Sequence, residues 1–222
     1  MSELLPSVIV DAPSTHQATV IWLHGLGDSG NGFAPIVPAL NIPDTLGIKF
    51  IFPHAPVRPV TVNNGMAMRA WYDIKSMNFN DRADLVGVKE SAAQVKALIE
   101  AEIASGIPAS KIVLAGFSQG GVISYYLGCR FPQTLAGIMT LSTYMADGES
   151  LGDERSEASL STPIFAAHGR FDDVVPVAMG KAAFTQVEAL GYQAQWQEYP
   201  MQHNVCPEQI GHISAWLQAR LA

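Results

Sequence analysis

Seven strand-like segments alternate with helical segments along the 222 residues of this chain. The strand-like segments are Ser7–Val10, Ala18–Leu23, Ile48–Phe52, Ile112–Ala115, Gly137–Leu141, Ile164–Ala167 and Ala194–Tyr199. The helical segments lie near Phe33–Leu40, Asp84–Ala104, Gln119–Cys129, Val177–Leu190 and Glu208–Arg220. Most of the strand-like segments are continuously apolar, which is typical of parallel strands buried on both faces. The pattern predicts one α/β domain, a mostly parallel central sheet with helices on both faces.

Composition and charge limit the kinds of partner that the chain is expected to bind. Hydrophobic residues make up 48% and charged residues 15% of the chain, which predicts a large core. The net charge of −7 argues against nucleic acid or an anionic membrane surface as the main partner. No apolar run approaches the ~18 residues of a membrane span. Two cysteines, no signal-peptide pattern and no metal-binding spacing favour a cytoplasmic protein with free thiols and no metal.

One segment combines a strand, a serine and a helix in close succession. Gly116-x-Ser118-x-Gly120 follows the apolar residues 111–115 and precedes the helical residues 122–129. This spacing is the pattern of a nucleophile elbow, in which a strained turn exposes a serine hydroxyl above a sheet. The small residues on either side of the serine let the backbone fold tightly on itself. The alternative is a glycine-rich connection without chemistry.

A serine nucleophile needs a base and an acid that orients the base, in the chain order Ser, acid, His. The segment after the strand-like Ile164–Ala167 offers two adjacent carboxylates, Asp172 and Asp173. Spacing alone does not choose between them. Because Pro176 begins a helical segment, we expect Asp173 to act as a capping residue and Asp172 to be the catalytic acid.

The histidine of such a site should follow the last strand. His203 lies between the strand-like Ala194–Tyr199 and the C-terminal helical segment, and it is the predicted base. Two other histidines, His24 and His168, are expected to form structural hydrogen bonds beside the site. His212 is expected on an exposed or half-buried helix face.

The oxyanion of an acyl-transfer intermediate needs two preorganised N–H donors. One should be the backbone N–H of Gln119, which directly follows the serine. The other should come from the glycine-rich segment after the second strand, where the N–H of Leu26 is the candidate. The same segment, Gly25-x-Gly27-x-x-Gly30, also matches a dinucleotide-binding fingerprint. That interpretation is disfavoured because no acidic residue ends the following strand.

The segment 53–81 has prolines, a turn signal and large apolar residues without steady periodicity. A connection of this length in a compact domain is usually functional. It is interpreted as a lid-like insertion, with Trp71, Met66 and Met68 as candidate walls of an acyl pocket and Met77 and Phe79 as further candidates. The alternative is that these residues only cover the edge of the sheet.

The chain resembles the carboxylesterase and acyl-protein thioesterase family (phospholipase/carboxylesterase type) of the α/β-hydrolase fold. The matching motifs occur in the same order as in the family and extend over nearly the whole chain. They are His24-Gly25-Leu26-Gly27-Asp28, Pro53-His54-Ala55-Pro56, Ala70-Trp71-Tyr72-Asp73, Gly116-Phe117-Ser118-Gln119-Gly120-Gly121, His168-Gly169 with Asp172 and Val175-Pro176, and His203. One departure is Asp173, which stands where the family usually has proline.

The resemblance implies a serine hydrolase that cleaves short- to medium-chain carboxylic esters, or acyl thioesters including those of acylated proteins, without a cofactor. It implies Ser118, Asp172 and His203 as the triad and Leu26 and Gln119 as oxyanion donors. Members of the family often form homodimers. The alternative function is a non-catalytic protein that holds an apolar ligand on a hydrolase scaffold.

Overall fold

A computed structural model describes residues 4–76, 78 and 82–222 of the chain. The seven strands of its main sheet are β1 Ser7–Val10, β2 Ala18–Leu23, β3 Ile48–Pro53, β6 Ile112–Phe117, β7 Gly137–Leu141, β8 Ile164–Gly169 and β9 Ala194–Tyr199. Their order across the sheet is β1-β3-β2-β6-β7-β8-β9. Only the pairing of β1 with β3 is antiparallel, and all the other strand pairs of this sheet are parallel. The predicted fold class is confirmed.

Six α-helices are found within the described part of the chain. They are α1 Gly30–Phe33, α2 Leu85–Ala104, α3 Gln119–Gly128, α4 Gly148–Glu154, α5 Val177–Ala189 and α6 Pro207–Leu221. The segment predicted as one helix near Phe33–Leu40 is instead the end of α1 followed by a 3-10 helix over Ala34–Leu40. Pro35 and Pro38 lack the N–H that a regular α-helix needs, which explains the tighter turn. The short helix α4 was not predicted.

Successive side chains of each strand point to opposite faces of the sheet, so the core consists of two layers, one on each face. On β2, Ile21 and Leu23 pack with residues of α2 and α3, whereas Val20 and Trp22 pack with residues of α6. A period of two residues is the geometry of a pleated strand, so one continuously apolar strand serves both layers. The helices therefore cover both faces of the sheet, as predicted.

The segment 53–81 contains a small hairpin that was not predicted. Strand β4, Val57–Val60, pairs antiparallel with β5, Met66–Arg69. After the hairpin, the three residues 70–72 are almost completely inaccessible to solvent and belong to the core layer of α2 and α3. The described part of the segment is therefore anchored in the core. Met77 and Phe79 lie outside the described residues.

Candidate active site

Ser118 lies in the turn between β6 and α3, with backbone angles φ 52° and ψ −119°. A positive φ at a non-glycine residue costs on the order of 1–3 kcal/mol and persists only where the surroundings enforce it. Here the backbone N–H of Ser118 donates to the carbonyl of Leu141 at 2.9 Å, and the Thr143 hydroxyl donates to the Ser118 carbonyl at 2.6 Å. Both contacts come from β7 and the residues after it. The neighbouring strand thus holds the strained turn in place.

The glycines around Ser118 are required by close backbone approach. A Cβ atom on Gly116 would lie 2.3 Å from the carbonyl oxygen of Gly120. A Cβ atom on Gly120 would lie 2.5 Å from the carbonyl oxygen of Leu23 on β2. Both distances are too short for any side chain, so the Gly-x-Ser-x-Gly spacing follows from the packing of the turn.

Asp172 and His203 are joined by a short hydrogen bond. His203 Nδ1 donates to Asp172 Oδ2 at 2.7 Å. Asp172 lies in the loop after β8, and His203 lies in the loop after β9, so both follow the carboxyl ends of parallel strands at the same edge as Ser118. The His203 ring also packs against Phe117, with ring centroids 4.7 Å apart. These contacts fix the orientation of the imidazole.

The Asp172 carboxylate is buried and surrounded by N–H donors. Its Oδ1 accepts hydrogen bonds from the backbone N–H groups of Val174 at 3.0 Å and Val175 at 2.8 Å. Burial by itself raises the pKa of this carboxyl, but hydrogen bonds from His168, His203 and Val175 outweigh it and hold the pKa well below its ordinary value. Asp172 is therefore ionised throughout the neutral range, as an acid that orients a base must be.

Asp173 does not cap a helix. Its side chain is exposed, and α5 begins after Pro176 without any hydrogen bond from a capping side chain. The expected capping role of Asp173 is therefore wrong. The reason is that the loop turns again between Asp173 and the helix, which places Pro176 rather than Asp173 at the N-cap.

Ser118 and His203 lie on the wall of one cleft of about 250 Å³. The cleft is lined by Gly25, Leu26, Asp28, Tyr72, Ile74, Arg82, Phe117, Ser118, Gln119, Tyr144, Val174, Val175 and His203. Among these residues, Tyr72 and Tyr144 have hydroxyl groups 2.8 Å apart, and the guanidinium of Arg82 lies 5.9 Å from the centre of the Tyr144 ring. Sequence reasoning missed this polar cluster, because no pattern marks residues that converge from two segments far apart in the chain.

The three residues predicted as pocket walls lie elsewhere. Trp71 is completely buried, and its indole N–H donates to the carbonyl of His24 at 2.9 Å. Met66 lies at the exposed start of β5, and Met68 packs against the core and near Gly27. None of the three lines the cleft. Tyr72, the neighbour of Trp71, does line it.

The two candidate oxyanion donors also lie on the cleft wall. Gln119 is the first residue of α3, where backbone N–H groups have no partner within the helix. Leu26 lies in the loop after β2, and no hydrogen bond among the described residues uses its backbone N–H. Both N–H groups are thus available to a negatively charged oxygen.

Two further histidines support the loops of the site. His168, at the end of β8, is buried, and its Nε2 donates to the carbonyl of Val175 at 2.8 Å. His24, in the loop after β2, is also buried, which lowers its pKa, and its Nε2 accepts a hydrogen bond from the backbone N–H of Ala55 at 3.0 Å. Both contacts are structural, as expected from the sequence.

A family model described as phospholipase/carboxylesterase matches residues 6–221. The chain belongs to this family. Acyl-protein thioesterase 1 of Gibberella zeae is 38% identical over 223 residues, which cover 96% of this chain and 95% of that protein. Acyl-protein thioesterase 1 of Schizosaccharomyces pombe is 43% identical over 183 residues, which cover 82% of this chain and 81% of that protein.

Solved structures agree with the sequence comparisons. The crystal structure of Arabidopsis thaliana SOBER1 matches with a TM-score of 0.88 at 31% identity and covers 93% of this chain and 100% of that chain. The crystal structure of Zea mays acyl-protein thioesterase 2 matches with a TM-score of 0.86 at 29% identity and covers 98% of this chain and 99% of that chain. The chain is therefore a serine hydrolase with the α/β-hydrolase fold.

Among residues 4–76, 78 and 82–222, no group of three or more histidine, cysteine, aspartate or glutamate side chains is arranged to hold a metal ion. Within the same ranges, no helix combines the length and the apolar character needed to cross a membrane.

Proposed function

We propose that this protein hydrolyses carboxylic esters and acyl thioesters through an acyl-enzyme on Ser118, with His203 as the general base and Asp172 as the residue that orients it. The observation that carries the proposal is the 2.7 Å hydrogen bond from His203 Nδ1 to Asp172 Oδ2, together with the position of His203 on the wall of the cleft that Ser118 also lines. With Nδ1 bonded to the carboxylate, the lone pair of the imidazole is on Nε2, the atom that can accept a proton from the serine.

In the first half of the reaction, Ser118 Oγ attacks the acyl carbon while its proton passes to His203 Nε2. The carbonyl oxygen of the substrate becomes an oxyanion that accepts hydrogen bonds from the N–H groups of Leu26 and Gln119. The bond to the alcohol or thiol then breaks. The leaving oxygen or sulfur takes the proton from His203, and the acyl group stays on Ser118 as an ester.

In the second half, a water molecule attacks the acyl-enzyme. His203 takes one proton of the water as the oxyanion forms again beside Leu26 and Gln119. The intermediate then collapses, Ser118 recovers its proton from His203, and the carboxylic acid leaves. Asp172 stays ionised throughout and stabilises the imidazolium in both halves.

The cleft supports a short- to medium-chain acyl group. Its volume of about 250 Å³ is below the ~300 Å³ lower end of typical small-molecule sites. Apolar side chains of Ile74, Phe117 and Val174 line it, which suits a hydrocarbon chain rather than a charged one. The relatives named acyl-protein thioesterase 1 support acyl thioesters of proteins as one class of substrate.

Hydrolysis of a series of p-nitrophenyl esters from acetate to palmitate tests this proposal. We expect saturable release of p-nitrophenol with an optimum among the shorter chains, and loss of that release in Ser118→Ala. Turnover that is the same in wild type and Ser118→Ala would contradict the role of Ser118. An optimum at palmitate would contradict the inferred chain length.

Hydrolysis of a matching series of acyl-coenzyme A thioesters, measured as the release of free coenzyme A with a thiol reagent, tests the proposed cleavage of thioesters. A peptide carrying an S-acyl cysteine extends the test to acylated proteins. The homodimer that the family resemblance implies and the cytoplasmic location expected from the sequence stay predictions, which sedimentation velocity and cell fractionation would check.

A further inference from the structure

Trp71 makes hydrogen bonds with three separate elements, although it does not line the cleft. Its indole N–H donates to the carbonyl of His24 in the loop after β2 at 2.9 Å. Its backbone N–H donates to the side-chain oxygen of Gln119 on α3 at 2.7 Å. Its carbonyl accepts a hydrogen bond from the hydroxyl of Ser91 on α2. Trp71 thus connects the two segments that carry the candidate oxyanion donors and fixes both to α2.

The hydrogen bond from Trp71 to the His24 carbonyl constrains the loop that carries the oxyanion donor Leu26. The carbonyl held by Trp71 belongs to the peptide between His24 and Gly25. The next peptide, between Gly25 and Leu26, has its carbonyl bonded to His24 Nδ1 at 2.7 Å, and its N–H is the oxyanion donor. Two successive peptide planes are therefore held by aromatic side chains, and the direction of the Leu26 N–H follows from them.

The two hydrogen bonds of the His24 ring together require the neutral tautomer. Its Nε2 accepts a hydrogen bond from the backbone N–H of Ala55 at 3.0 Å, so the proton of the neutral ring is on Nδ1. Burial lowers the pKa of His24, which keeps the ring neutral at physiological pH. The ring also lies against Trp71, with centroids 5.3 Å apart.

The hydrogen bond from the Trp71 backbone to the Gln119 side chain constrains the residue whose backbone N–H is the second oxyanion donor. The Gln119 side chain is buried, and besides accepting from Trp71 it donates through Nε2 to the carbonyl of Tyr72 at 2.7 Å. This pair of bonds fixes the side chain of the first residue of α3. Because the backbone N–H of the same residue is the second oxyanion donor, the pair also fixes the position of that N–H relative to residues 71 and 72.

We propose that Trp71 is a positioning residue that sets the distance between the oxyanion donors Leu26 and Gln119. This inference rests on the proposed function, because it concerns the same oxyanion. Stabilisation of an oxyanion depends on donors that are already in place at hydrogen-bond distance when the charge develops. A residue that holds both donors affects the transition state and leaves binding of the ground-state ester nearly unchanged.

Trp71→Phe tests the inference, because it keeps an aromatic ring and removes the indole N–H. Trp22→Phe is the matched control. Trp22 is also completely buried, and its indole N–H has no hydrogen-bond partner among the residues that the structure describes. The two variants lose the same atoms from the core, but only one loses a hydrogen bond to the donor loop.

We expect Trp71→Phe to lower kcat for p-nitrophenyl esters by about 10- to 100-fold, less than the ~100- to 1,000-fold cost of deleting a donor outright. KM should stay close to that of the wild type. Affinity for a trifluoromethyl ketone, which forms an oxyanion on Ser118, should fall by the same factor as kcat/KM. Trp22→Phe should keep kcat and the inhibitor affinity close to wild type.

Equal kcat in Trp71→Phe and wild type, or an equal loss in both tryptophan variants, would overturn the inference. If Trp71→Phe does not fold, Ser91→Ala replaces it, since this variant removes only the hydroxyl bonded to the Trp71 carbonyl. A parallel fall in kcat and inhibitor affinity in Ser91→Ala then supports the inference, and unchanged values overturn it. Persistent turnover in Ser118→Ala would instead refute the proposed function, so the two failures are distinguishable.

Discussion

Replacing Asp172 by asparagine removes one acceptor oxygen from a carboxylate whose two oxygens both receive N–H donors. Oδ1 accepts from the backbone of Val174 and Val175, and Oδ2 accepts from His203 Nδ1. The single amide oxygen of asparagine can satisfy the two backbone donors, which leaves its NH₂ group facing His203. The imidazole must then carry its proton on Nε2, and it can no longer accept the proton of Ser118.

The size of the effect follows from the lost contacts. The substitution removes the charge-assisted hydrogen bond from His203, worth ~1.5–3 kcal/mol, which at ~1.4 kcal/mol per factor of ten is about 10- to 100-fold in kcat. Loss of the reactive tautomer adds to this, and replacing the acid of a serine-protease triad by its amide costs ~10,000-fold in kcat. We therefore expect kcat to fall by about 100- to 10,000-fold.

The assay is steady-state hydrolysis of p-nitrophenyl butyrate by Asp172→Asn and by Asp173→Asn. Asp173 offers a matched control, because it is the adjacent residue, has the same side chain and is exposed. We expect Asp173→Asn to retain kcat close to that of the wild type. A larger loss in Asp173→Asn than in Asp172→Asn would refute the assignment of the acid.

Because the pKa of folded Asp172 is lowered, its contribution to stability is complete above the ordinary carboxyl pKa of about 4 and is lost at lower pH. The difference in unfolding free energy between wild type and Asp172→Asn, from urea titrations, should therefore be larger at neutral pH than at pH ~3. Gly116→Ala should lower Tm, because its Cβ would lie 2.3 Å from a backbone oxygen, whereas Gly211→Ala, with open space at that position, should not. Iodoacetamide at pH ~8 should alkylate the half-buried Cys206 and spare Cys129, because burial raises the pKa of Cys129 to about 12; equal labelling by mass spectrometry would contradict this.

The sheet could be predicted from the sequence because its signal is local. Strand β2 has five apolar residues out of six, and all six are buried in the structure. Its neighbours β3 and β6 each follow a segment with a helical pattern. The location of Ser118, Asp172 and His203 at one edge of the sheet could be predicted for the same reason. Each residue follows the end of a strand, and the carboxyl ends of parallel strands lie at one edge of the sheet.

The segment before α2 was interpreted less well, because its contacts are not local. Trp71 is apolar and lies in an aperiodic segment, a context that predicts a pocket wall as readily as a residue that covers the sheet edge. The structure instead places it between His24 and Gln119, which are 47 and 48 residues away in sequence. Hairpin β4–β5 was missed for a related reason, since Pro59 lies within one strand and is disfavoured in all but edge strands.

Mapping the residue that reacts with a fluorophosphonate tests the central claim most directly. A serine that is activated by a base attacks the phosphorus and keeps the probe, and a proteolytic digest then locates the adduct by mass spectrometry. We expect one adduct, on the peptide that contains Ser118, and no labelling of Ser118→Ala or of denatured protein. An adduct on any other residue, or no adduct on the native protein, would contradict that claim.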